Sequence, residues 1–232
     1  PLALSRAVAY MDADPHIGLG GARLIGRDDA WQPAARLFPS PLNDFLTLSG
    51  LAARFPHNRF CGRMDRTWAD PNQTADVDWV PGAFSIVRRD LLERIGYFDE
   101  AFFLYYEEVD LCRRIKAAGY AVRYWPDVVV LQLGGASSKT LQHLTLSSSG
   151  AQLTLWRLRS AYLYYRKQHG RLTAWLAMQL EKQWHALRAW KNARRQDGDS
   201  RAKAEESRAI VTLVTQAWRE TDGGRVSPPR PW

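Results

Sequence analysis

The chain has 232 residues, 46% of them hydrophobic, which suffices for a buried core and places it among globular proteins. Its net charge of +8 is unevenly distributed: residues 151–195 carry ten Lys or Arg against the single acid Glu181. Such a surplus suits nucleic acid, anionic lipid or a phosphorylated substrate, but no nucleic-acid motif accompanies it, so nucleic acid is excluded as an expected partner.

Cys61 and Cys112 are two lone thiols without metal-ligand spacing, which points to a reduced, cytoplasmic compartment, and no signal-peptide pattern precedes them. Residues 1–10 read as a helix that begins abruptly, with no strand before it. Asp12-Ala13-Asp14 spells an acidic triplet, but Pro15 follows it at once, so it reads as the loop before the next strand rather than a metal site. Residues 18–25 read as a short strand, Arg27, Asp28 and Asp29 as a hairpin-like turn, and residues 31–38 as the returning strand. Residues 39–66 are irregular, with a short helix expected near 42–53; His16 and His57 are isolated and read as surface residues.

Asp78, Trp79, Val80, Pro81, Gly82 and Ala83 form a loop in which Pro81 stiffens the approach and Gly82 admits a ligand or a neighbouring backbone. Its plain reading is a tight turn into the strand at 84–87. Asp90 is placed as the cap of a short helix that ends at Gly96.

The richest stretch follows. Phe102, Phe103, Leu104, Tyr105 and Tyr106 run straight into Glu107, Glu108, Val109 and Asp110, after which apolar residues recur at helical spacing through Ala118, and Gly119 supplies a stop. Residues 107–118 therefore read as a helix with three carboxylates in its first turn. Ordinary end-stabilisation accounts for acids at that position, worth roughly 0.3–1 kcal/mol each. The sharper reading is a carboxylate held at a helix N-terminus to accept a proton from a bound hydroxyl. Adjacent helix residues point about 100° apart, so Glu107 and Glu108 do not form a facing pair: one is the base and the other structural.

Residues 121–125 alternate as a strand, and 128–131 form a second short run separated from it by Pro126. Gln132, Leu133 and the Gly134-Gly135-Ala136-Ser137-Ser138 run come next. Residues 153–169 read as a basic, aromatic helix, and 172–190 continue it with Trp175, Trp184 and Trp190. That segment is too polar to span a bilayer, yet suited either to the plane of an anionic membrane surface or to packing between helices. Residues 192–207 read as a charged linker or an exposed helix start, 210–218 as an amphipathic stripe, and 223–232 as a mobile tail.

Three segments together, VDWVPGAFSIVRRD, GYFDEAFFLYYEEVDLCRRIKAAGY and GGASS, resemble the acceptor-side half of family 2 inverting glycosyltransferases of the GT-A fold, rhamnosyltransferase-like members above all, over roughly residues 1–170. The resemblance implies an α/β fold: a partial GT-A domain with a Rossmann-like mixed sheet over 1–150, a basic helical region over 151–195, and a linker, helix and tail over 196–232. It implies Glu108 as general base, at a position where the family carries Asp, and Asp78, Trp79, Gly82 and Glu107 as acceptor-side residues, with Trp79 offering a face to a sugar ring. A nucleotide-sugar donor such as dTDP-rhamnose, a glycan or polyprenyl-linked acceptor and a divalent cation, Mg or Mn, belong to the complete enzyme of that family. The chain is expected to begin after the family's nucleotide-binding half, so a catalytically inactive acceptor-binding or membrane-associated module stands as the alternative. Where the family places a metal-completing histidine this chain has Gln132, a weak ligand, and the amide is expected to be structural.

Overall fold

The computed structural model describes residues 2–132, 147–195 and 197–228. They fall into two compact units, one drawn from 2–39, 50–99 and 107–132, the other from 40–49, 100–106 and the residues from 147 onward.

The first unit is a mixed α/β layer. Helix α1 (Leu2–Ala13) leads into β1 (Ile17–Ile25), the central strand, followed by β2 (Trp31–Gln32), helix α3 (Leu51–Arg54), β3 (Ala75–Val77), β4 (Ser85–Val87), α4 (Arg89–Ile95), α5 (Glu107–Ala117) and β5 (Ala121–Leu131), with α2 (Pro41–Leu48) belonging to the other unit. Strand order is β2-β1-β5-β3, with β4 also on β1; β1 and β5 are parallel and the remaining pairs antiparallel. Parallel pairing at the centre buries β1 on both faces, so its sequence IGLGGARLI runs apolar and small rather than alternating. Gly20 is needed for a close approach: a Cβ there would sit 1.9 Å from the Trp125 ring. Trp125, Ile17, Ala22 and Val128 form a core with Ala7 and Met11 of α1. The Arg88 guanidinium, bonded to the carbonyls of Met11, Asp14 and Ile17, ties the end of α1 to the start of β1.

Several boundaries differ from those expected. The returning strand shrinks to two residues, because Pro33 cannot donate to a ladder; beyond it Arg36 makes only an isolated bridge to Trp79. Strand β5 does not stop at Pro126. Its register on β1 jumps from Trp125 opposite Ala22 to Val129 opposite Arg23, so the proline is absorbed in a bulge. Asp90 lies inside the first turn of α4; the N-cap is Arg88, with no side-chain bond.

The second unit is helical. Ser40 caps α2, its hydroxyl accepting from the Asn43 amide at 3.2 Å, with Pro41 in the first turn. A long helix α6 (Ser147–Ala193) breaks at Gly170 (φ 83°, ψ 176°) into the two arms that the sequence suggested, and α7 (Gly198–Glu220) packs against both. Leu158, Tyr162, Met178, Val214 and Ala217 form its core, so the stripe on α7 covers α6. Helix α7 starts within the charged stretch 192–207, capped by Asp197, whose carboxylate accepts from the Ser200 amide at 2.8 Å. After α7 the chain stays folded: Gly224 donates to Thr221 Oγ1 at 3.1 Å, and Ser227 Oγ donates to the Ala101 carbonyl at 2.8 Å. The Gly-Gly-Ala-Ser-Ser run and residues 229–232 lie outside the described residues.

Candidate active site

Helix α5 forms where apolar residues recur at its spacing, and it buries Val109, Leu111, Cys112 and Ile115. The chain enters it through Tyr105 and Tyr106, consecutive non-glycine residues in the left-handed region (φ 66° and 69°), a costly conformation of the kind concentrated at functional sites. Of the three first-turn acids, Asp110 is fully buried and ion-paired to Arg114 Nε at 2.9 Å. Arg114 also donates to the carbonyls of Ile95, Gly96 and Tyr97 at 2.6–3.0 Å, fastening the end of α4 to α5. Asp110 is thereby committed to structure.

Glu108, Cys112 and Lys116, spaced one helical turn apart, line the side of α5 that meets the segment from Val77 to Gly82. Burial pushes the Glu108 carboxyl up to about 7, helped by the charge of Glu107; the amides of Glu108 and Gly82 and the cation of Arg36 pull it the other way. Glu107 is raised by burial alone and drawn back by its own amide. Each of the two leaves one buried oxygen, Oε2, without a protein hydrogen-bond partner. Beneath them burial raises the Cys112 thiol to about 12, so it is a neutral packing group rather than a nucleophile.

Asp78, expected as an acceptor-side carboxylate, is half-buried. Its Oδ1 takes Lys116 Nζ at 2.6 Å and its Oδ2 the Phe38 amide at 2.9 Å, so it fastens the loop to α5. Trp79 is buried, donates Nε1–H to the Leu37 carbonyl at 2.9 Å, and has the Arg36 guanidinium 5.0 Å from its ring centroid. The sugar-stacking face expected of Trp79 is therefore occupied within the protein. Gly82 is exposed, with open space where a Cβ would be, and leaves room beside Glu108.

The residue that sequence reasoning missed is Arg36. It pairs with Asp65 at 3.1 Å, covers Trp79 and stands close enough to favour ionised Glu108. No local pattern around Arg36 signals this, because the isolated bridge to Trp79 that positions it joins residues 43 apart. The arrangement can hold one carboxyl poised between its acid and base forms near neutrality, next to a cation and an open backbone.

No protein-family model matches the chain. No solved structure matches it either. Among curated proteins it is 31% identical over 117 residues, half of this chain, to an N-acetylglucosaminyl-diphospho-decaprenol L-rhamnosyltransferase of Mycobacterium tuberculosis. It is 29% identical over 92 residues to the rhamnosyltransferase WbbL of Escherichia coli, and 40% identical over 40 residues to the low-salt glycan biosynthesis hexosyltransferase Agl10 of Haloferax volcanii. These similarities support a glycosyltransferase family for the matched stretch, which spans 38% and 32% of the lengths of the two rhamnosyltransferases and 13% of the hexosyltransferase.

Proposed function

We propose that the chain forms the acceptor side of an inverting, nucleotide-sugar-dependent glycosyltransferase of the family 2, GT-A type, with Glu108 as general base. The observation that carries this reading is the Glu108 carboxyl, held near neutrality by burial beside the open Gly82. At pH 7 about half of such a group is ionised, and it is a stronger proton acceptor than an ordinary carboxylate. In the proposed step the acceptor hydroxyl gives its proton to Glu108 as its oxygen bonds to the anomeric carbon, on the face opposite the breaking bond to the nucleoside diphosphate. One displacement inverts the centre. Arg36 lowers the cost of the ionised base before the step, and Glu107 orders the helix start.

The names of the relatives favour a rhamnosyl donor, for which the family resemblance suggests dTDP-rhamnose, and a glycan or polyprenyl-diphosphate-linked acceptor. A divalent cation is expected on such a donor, but the described residues do not fit one. Asp14 accepts from the His16 amide at 3.0 Å and lies 3.7 Å from Arg123, and no group of three or more His, Cys, Asp or Glu that could hold a metal comes together among the described residues.

The test is Glu108→Gln in a protein containing this chain that transfers the sugar. Turnover should fall by roughly 10² to 10⁴ with donor affinity little changed, and Glu108→Asp should keep part of the activity. The wild-type rate should rise with pH along an acid limb near 7. Undiminished turnover in folded Glu108→Gln would remove the proposed base.

A further inference from the structure

The second arm of α6, after the break at Gly170, has two unlike faces. Ala174, Ala177, Met178, His185 and Ala189 are buried within the helical unit. On the opposite side Leu172, Trp175, Leu176, Leu187 and Trp190 are each between 42% and 69% exposed. At 3.6 residues per turn these five fall within an arc of about 120° along a helix roughly 35 Å long, as two apolar patches, Leu172, Trp175 and Leu176 at one end and Leu187 and Trp190 at the other, with Gln179 and Gln183 between them on the same arc. Large side chains left in water on one face of a well-packed helix mark an interaction surface.

The charges choose the partner. The only acid of residues 171–195, Glu181, is buried and paired with Arg157 of the first arm. The cations that flank the patches, Arg171, Lys182, Lys191 and Arg194, have no acidic partner on their own arm, and Arg194 lies 3.6 Å over the Trp190 ring. Arg188, by contrast, is paired with Glu206 of α7. A surface of leucine and tryptophan bordered by one sign of charge complements an anionic lipid interface, where indole rings sit at headgroup level and lysine and arginine reach the phosphates. A second copy of the same face would oppose cation to cation, and a nucleic-acid backbone would leave the three leucines without an apolar surface to cover. Among the described residues no helix is long and apolar enough to cross a membrane.

We propose that the exposed face of residues 171–194 is a docking surface for an anionic membrane, through insertion of Trp175, Trp190 and the flanking leucines with Arg171, Lys182, Lys191 and Arg194 on the headgroups. The proposal does not rest on the transferase reading, and its test needs no activity.

The whole chain is sedimented with phosphatidylcholine vesicles and with vesicles that also contain phosphatidylglycerol. Binding should require the anionic lipid and weaken as salt is raised. Trp175→Ser with Trp190→Ser should cut partitioning about tenfold or more, and Glu in place of the four cations should do the same. Arg201→Glu with Lys203→Glu, on exposed α7, should leave partitioning largely unchanged. If the tryptophan pair disturbs folding by circular dichroism, Leu172→Gln with Leu187→Gln reads the same face. Absent binding, equal binding to neutral vesicles, or binding unaffected by the face variants would overturn the proposal. So would tighter binding to duplex DNA than to anionic vesicles, or self-association that the tryptophan substitutions abolish.

Discussion

Glu108 stores a cost that its substitution should release. Its folded-state carboxyl sits near 7, against 4.5 for the unfolded chain, so folding is favoured most below pH 4.5 with respect to this group. That contribution is lost as the pH rises through 7 and stays lost above it. A shift of this size corresponds to about 3 kcal/mol, a ceiling because the side chain keeps part of its surface in water. Glu108→Gln should therefore raise stability in denaturant melts at pH 8 by up to about that amount, while changing little at pH 4. A variant that is more stable and less active is the expected signature of a base held under strain. Equal stability at pH 8 would mean that the carboxyl titrates normally. Asp78 behaves in the opposite sense: with both oxygens bonded, Asp78→Ala removes its bonds to Lys116 Nζ and the Phe38 amide and should cost about 1–2 kcal/mol in the same melts.

The break in α6 gives a cleaner test at the level of the element. Gly170 holds φ 83° and ψ 176°, a region essentially restricted to glycine, while no atom lies within 4 Å of where a Cβ would stand. Any cost of Gly170→Ala is thus backbone strain and not a clash, and about 1–3 kcal/mol should be lost in chemical denaturation. Gly170→Asn should lose about as much, because the tolerance of asparagine for positive φ is confined to ψ near +45° and does not extend to ψ 176°. If both were neutral, α6 could straighten through this point, and the turn between its arms would be a preference instead of a requirement. The entry to α5 is of the same kind, since Tyr105 and Tyr106 are held at positive φ although neither is glycine. Helix α5 therefore starts where tertiary packing dictates, with its acids in the first turn to meet the helix dipole.

At the scale of the molecule, each unit carries its own core and its own buried carboxyl with a raised pKa. In the helical unit burial lifts Asp44 to about 6, even though the Tyr165 hydroxyl donates to it at 2.6 Å. The sign is that of Glu108: the contribution to stability is full below 3.8 and lost as the pH rises through 6. Asp44→Asn should flatten the helical unit's pH dependence between those values and Glu108→Gln that of the sheet unit. Differential scanning calorimetry at pH 5 and 7.5 should therefore show two separately movable components; a single melt moved alike by either substitution would contradict this. The sequence by itself determined the elements whose signals are local: the helix at α5 with its stop at Gly119, the two arms of α6, the stripe on α7 and the positive surplus of residues 151–195. The same local signals carried the resemblance that singled out Glu108. It could not determine the fate of Trp79, which has the composition of a sugar platform and is covered by Arg36, or of Asp78, which is consumed by Lys116 and the Phe38 amide. Nor did it determine the run of β5 through Pro126, which depends on β5 bulging at residues 126–128 while β1 keeps its ladder on either side. Periodicity and capping act over a few residues and are written in the order of the chain. Burial, pKa and the choice between a free and an occupied side chain are set by partners tens of residues away, and only the packed structure brings those together.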